Sequence, residues 1–105
     1  MNGHKFNTYE VAALVILYHN PGSLLNTYGL VQVLFPRVSS VAQHKEAFIE
    51  IAGATEELIK LDLVKGTRLE DGGGRIFYSD LALTRKGERK TIELLRQRGK
   101  ENLKT

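Results

Sequence analysis

Histidines are the side chains of this sequence best suited to metal binding or acid–base chemistry. There are three of them, at positions 4, 19 and 44. No two are three to five residues apart, which is the spacing that brings a pair of ligands together on one helical face. The helical pattern also places His44 among core residues, where a packed imidazole is the simpler interpretation. We therefore predict no metal and no cofactor.

A run of glycines, Gly72–Gly74, is the other candidate for a chemical role. It lies between two predicted strands and is not followed by the Lys-Ser/Thr pair or the helix of a phosphate-binding loop. A tight turn that requires positive φ is the simpler interpretation. The sequence contains no cysteine nucleophile and no Gly-x-Ser-x-Gly motif. We expect a protein that is not an enzyme.

The totals of the sequence limit its organisation. A chain of 105 residues has room for one domain. The absence of cysteine excludes disulfides and fits a reducing compartment. The longest apolar run, Val11 to Tyr18, is much shorter than the roughly 18 residues of a membrane span. We expect one cytoplasmic domain that does not associate with membranes.

Charge is distributed unevenly along the chain. Residues 1–59 contain three Lys/Arg and five Asp/Glu, whereas residues 60–105 contain twelve and seven. A basic half of this kind favours a polyanionic partner, although a solvated charged face is an equally good interpretation.

Four helices and one hairpin are predicted. Asn7 or Thr8 caps a first helix that ends near His19, and this helix is apolar on nearly all sides. Because one small core cannot cover so many apolar faces, a second copy of the chain is expected to cover the rest. Ser23 or Asn26 caps a second helix that ends before Pro36. Its predicted core residues are Leu24, Tyr28, Val31, Leu34 and Phe35.

The third helix is predicted from about Val41 to Asp62, since Ser40 and Gln43 have capping-box spacing. Its predicted core face comprises Val41, His44, Phe48, Ile51, Ala52, Thr55, Leu58 and Ile59. Two strands, 63–69 and 75–83, then form a hairpin over residues 63–83. Phe77, Leu81 and Leu83 are predicted to point inward, and Ile76, Tyr78 and Asp80 outward. Thr84 caps a last helix over 85–98, followed by a polar tail over 99–105.

The phrase Leu58–Val64, the hairpin, and Leu83–Gly87 together resemble winged helix-turn-helix regulators of the MarR-like and PadR-like kinds. The resemblance implies a mainly α domain with a small β-hairpin, an α+β winged helix-turn-helix fold. It also implies a dimeric transcriptional regulator that binds specific double-stranded DNA. In that family the start of the third helix enters the major groove and the hairpin, or wing, contacts the backbone or the minor groove.

Transferred to this chain, the resemblance implies two groups of DNA-binding residues. The first group lies at the start of the third helix and comprises Arg37, Ser39, Ser40, Gln43 and Lys45. The second group lies on the wing and comprises Lys65, Arg68 and Arg75. Arg37 is expected on phosphate, whereas Ser, Gln and Lys side chains can donate to phosphates or to base edges.

An acidic face on the third helix supports an alternative function. Glu46, Glu50 and Glu57 recur at four and seven residues and are predicted to share one exposed side. Carboxylates on a recognition helix repel phosphate, so the domain can instead be a winged-helix module that binds a protein through these glutamates. The sequence leaves both hypotheses open.

Overall fold

The computed structural model describes the backbone of residues 4–38 and 40–104 and the side chains of 4–38 and 40–98. Its elements are α1 (Thr8–His19), α2 (Thr27–Leu34), α3 (Val41–Lys60), β1 (Val64–Glu70), β2 (Ile76–Leu83) and α4 (Arg85–Lys104). The two strands form an antiparallel hairpin. The predicted α+β composition of helices and one hairpin is therefore confirmed. No helix in the described part of the chain has both the length and the apolar character to cross a membrane.

Short polar side chains begin the first three helices. Asn7 accepts a hydrogen bond from the Glu10 amide, and the Glu10 carboxylate accepts one from the Asn7 amide, so both form a capping box. Asn26 accepts from the Gly29 amide, and Ser40 from the Gln43 amide. The structure thus selects Asn7 and Asn26 from the alternatives that the sequence left open.

The last helix is longer than predicted. It continues to Lys104 instead of ending at residue 98, so most of the predicted polar tail is helical. Polarity alone was a poor guide here, because the segment contains helix-forming Lys, Glu and Leu and no proline. Thr105 lies outside the described residues.

Helix α1 is the centre of the fold. Its Leu14 is fully buried together with Leu30, Ile51, Leu58 and Leu81 from three other elements. It contacts α3, α4, β2 and α2, and it contributes none of the large exposed hydrophobic side chains. The same chain thus covers α1 on several sides, and Ala12, Val15, Ile16 and Tyr18 are left partly buried. The second copy of the chain that was expected to cover the rest of α1 remains a prediction.

Three predicted core residues are exposed. Val41 is 87% exposed and His44 is also exposed, because α3 begins to be buried only at Ala47. The first six residues of α3 therefore project from the core. Leu24 is 63% exposed and has a φ of 56°. It lies before the second helix, next to Leu25, whose carbonyl accepts a hydrogen bond from the Leu81 amide.

The hairpin reverses one prediction about β2. Tyr78 was expected to point outward, but it is buried, and its amide donates to the Thr27 hydroxyl at 2.9 Å. The pairing changes from Lys65 with Ala82 to Thr67 with Ser79, so β2 contains one extra residue there. Asp80, in this irregular stretch, has a φ of 53°. Such a bulge shifts the in–out alternation, which is why both Tyr78 and Leu81 face the core.

Thr84 and Gly87 join the hairpin to α4. The Thr84 amide donates to the Leu63 carbonyl, its hydroxyl donates to the Asp62 carbonyl at 2.7 Å, and the same hydroxyl accepts from the Gly87 amide at 2.9 Å. Gly87 is buried directly against the Leu63 backbone, where any Cβ atom would overlap the carbonyl oxygen. The first turn of α4 can approach β1 this closely only because residue 87 has no side chain.

We predict that Gly87→Ala destabilises the protein, because a methyl group at that position must displace the Leu63 backbone. Overpacking of this kind costs about 1–3 kcal/mol or more. The matched control is Gly53→Ala, a helical glycine with open space around it, which should stabilise by up to about 1 kcal/mol. Urea denaturation of both variants measures the two effects, and equal changes for both would contradict the role assigned to Gly87.

Candidate nucleic-acid interface

The exposed start of α3 meets the start of β2 at a basic surface. Lys45 and Arg75 line the same shallow depressions between the two elements, together with Ser40 and His44. We call these four exposed residues the basic surface. Three of them were predicted as DNA-binding residues from the sequence. His44 was missed, because the helical pattern assigned it to the core.

Arg75 is positioned by aromatic contacts and by the hairpin turn. Its guanidinium lies over the Phe48 ring, 4.9 Å from the ring centre. Phe48 is itself buried against Tyr28, at 4.9 Å between ring centroids. The cation is therefore placed on an aromatic surface beside α3.

Asp71 fixes the turn that precedes Arg75. Its Oδ1 atom accepts from the amides of Gly73 at 2.8 Å and Arg75 at 3.0 Å, and its Oδ2 atom accepts from the Tyr28 hydroxyl at 3.1 Å. These donors, first the Arg75 amide and then the Gly73 amide, hold the pKa of Asp71 below its usual value, and the Tyr28 hydroxyl adds to the effect. The turn is thus tied to α2 through a carboxylate that favours its ionised form.

The opposite side of α3 is acidic and borders an apolar groove. Glu46 and Glu50 line this groove, which has a volume of about 730 Å³. Its other lining residues come from the start of α1, the end of α2, the loop before α3, and α3 itself: Tyr9, Leu34, Phe35, Pro36, Arg37, Val38, Gln43, Ala47 and Ile49. We call it the α3 groove. Two predicted DNA-binding residues, Arg37 and Gln43, lie here and not on the basic surface.

Glu57 does not join the other two glutamates in the groove. Its carboxylate is half-buried and lies 4.0 Å from the Nδ1 atom of His4, whose Nε2 atom is 3.2 Å from the buried Glu10 carboxylate. The predicted acidic face therefore divides into an exposed pair at the groove and one carboxylate next to the N-terminal segment. Helical periodicity could not show this, because His4 precedes the first helix.

The remaining predicted residues lie apart. Lys65 lines a depression at the other end of the hairpin, together with the turn Asn20–Gly22 and Glu88 of α4. Arg68 is exposed on β1 and is the cross-strand partner of Tyr78. Ser39 lies outside the described residues. Lys65 thus does not form one patch with Arg75, and Arg68 does not line the depressions that Lys45 and Arg75 share.

Neither Lys45 nor Arg75 takes part in an ion pair with a described side chain. Glu56 lines one of the depressions together with both cations, and the charge of Arg75 contributes to the lowered pKa of Asp71. Among the described side chains, ion pairs join Glu56 to Lys60 at 3.5 Å and Lys90 to Glu93 at 3.3 Å, and none includes Lys45 or Arg75. An exposed cation outside an ion pair can bind an external anion without first breaking an internal pair. The arrangement can therefore hold phosphate groups beside the projecting turns of α3.

Comparison with known proteins found no matching family model, no matching curated protein and no matching solved structure.

The lowered pKa of Asp71 predicts a pH-dependent contribution to stability. The carboxylate stabilises the folded state fully above the unfolded pKa of about 3.9, and this contribution is lost as the pH falls through the lower folded value. The difference in urea midpoint between the wild type and Asp71→Asn should therefore shrink at low pH. Denaturation curves from neutral pH to pH values below the carboxyl range test this, and a difference that does not change with pH would contradict it.

Proposed function

We propose that this protein is a winged helix-turn-helix regulator that binds specific sites on double-stranded DNA. The observation that carries the proposal is the basic surface, in which Lys45 and Arg75 meet beside the exposed start of α3. The order of the elements supports it as well, since a hairpin follows the third helix and is fastened to the fourth. Such a domain presents its third helix to the major groove.

The projecting turns of α3 supply the groove-reading element. Residues 41–46 are all exposed, and no other described helix begins with six exposed residues in a row. Ser40, which caps these turns, and Lys45 both lie on the basic surface, and their side chains can donate to base edges or phosphates. Arg75 approaches the same turns from the hairpin and supplies the adjacent phosphate contact.

A homodimer in the cytoplasm completes the proposal. Two copies related by a two-fold axis match a palindromic site, which increases both affinity and sequence specificity.

The α3 groove favours a second candidate function, binding of a protein at Glu46 and Glu50, because an apolar groove bordered by carboxylates suits a basic partner surface better than it suits DNA.

Removal of the two cations should weaken DNA binding and its salt dependence together. Each phosphate contact releases condensed counterions and contributes about 0.9 to the slope of log K against log salt. We expect the double variant Lys45→Gln and Arg75→Gln to reduce the magnitude of this slope by about 1 to 2 units. Fluorescence anisotropy with labelled random duplex DNA at several salt concentrations measures it. Glutamine keeps much of the length of each side chain, so the fold is little affected.

Lys65→Gln is the matched control, because Lys65 is also exposed but lies at the far end of the hairpin. Its slope should equal that of the wild type. A slope that falls for Lys65→Gln and not for the double variant would move the interface to the other end of the hairpin. A wild-type protein that binds no duplex DNA at low salt would overturn the proposed function.

A further inference from the structure

The α3 groove is an apolar surface that the described part of the chain leaves open. Ile49, on its border, is 58% exposed. Tyr9, Leu34 and Phe35 are only partly buried. The carboxylates of Glu46 and Glu50 are exposed beside this floor, and in the described residues neither takes part in an ion pair. A partner that fits must bring apolar side chains for the floor and cations for the two carboxylates.

Helix α4 carries that combination on the same chain. Arg85, Arg89, Ile92 and Arg96 recur at four, three and four residues and therefore share one side of the helix. We call these residues the arginine row. Its three arginines are exposed, and Ile92 is half-buried between them. The buried residues of α4, Gly87 and Thr91, lie on another side of the helix. The row is thus an unoccupied surface with an apolar centre and cationic ends.

We propose that the α3 groove receives the arginine row of a second copy of this chain. Ile92 of the copy contacts the apolar floor, and Arg89 and Arg96 pair with Glu46 and Glu50. Arg37 also lines the groove, and Glu93, which pairs with Lys90 within α4, is a carboxylate that lies next to the row. In a two-fold dimer this contact occurs twice, because each copy provides both a groove and a row.

The contact deepens the proposed regulator and rests on its dimeric form. Glu46 is on the same projecting turns as Lys45, and Glu50 lies one turn further along α3. Their charges therefore oppose the approach of phosphate to α3. Arginines of the second copy neutralise them and leave the basic surface as the dominant local charge. The dimer can nevertheless be measured without DNA, so a failure of self-association and a failure of DNA binding are separate results.

A charge exchange between the two surfaces tests the proposal. One variant combines Glu46→Arg with Glu50→Arg, and the other combines Arg89→Glu with Arg96→Glu. In a dimer of either variant alone, like charges face each other at both contacts. In the mixed dimer, the arginines of one chain face the glutamates of the other at both contacts. All four positions are exposed, so we expect each variant to fold. Circular dichroism checks the fold of each variant first.

Sedimentation velocity at micromolar concentrations, without DNA, is the measurement. We expect the wild type at twice its mass of 11.8 kDa, each variant as a monomer, and an equimolar mixture of the two as a dimer again. Glu56→Arg and Arg98→Glu, at exposed positions on other sides of the same helices, should leave the dimer unchanged. A monomeric wild type, a dimer that tolerates both folded variants, or a mixture that stays monomeric would overturn the proposal.

Discussion

The close approach of α4 to the end of α3 is the constraint on which the rest of the structure depends. The Thr84 hydroxyl bonds the Asp62 carbonyl and the Gly87 amide, and Gly87 lies directly against the Leu63 backbone. The base of the hairpin is therefore fastened to two helices. The tip is held separately, because Asp71 accepts from the Tyr28 hydroxyl of α2. A hairpin fixed at both ends places Arg75 beside α3 and creates the basic surface.

Local signals in the sequence predicted most of the fold. Asn7, Asn26 and Ser40 mark helix starts through side-chain bonds to amides three residues later. The sequence identified Ser40 directly and each of the other two as one of two candidates. The errors have tertiary causes. The inward position of Tyr78 depends on a bulge, and the exposure of His44 depends on how far α3 extends beyond the core. Hydrophobic periodicity shows which residues share a face of one helix or strand, but it cannot show how far the neighbouring elements cover that face.

The candidate site was predictable by residue type but not by grouping. Ser40, Lys45 and Arg75 were predicted and do come together, whereas Arg37 and Gln43 lie in the α3 groove and Lys65 lies at the far end of the hairpin. The sequence could not separate these places, because which side of α3 faces the hairpin is decided by packing. The separation also relates the two hypotheses, because Lys45 and Arg75 line depressions that Glu46 and Glu50 do not line. DNA and protein contacts therefore need not compete for these residues.

The central claim, that the basic surface is where DNA binds, is tested most directly by nuclear magnetic resonance. Amide resonances of the isotope-labelled protein are followed while a short duplex is added at low salt. The account predicts that the largest shifts occur on the basic surface, at Ser40, His44, Lys45 and Arg75, with little change at Lys65 and in the turn Asn20–Gly22. Largest shifts at Lys65 and that turn, or no shifts at all, would contradict it.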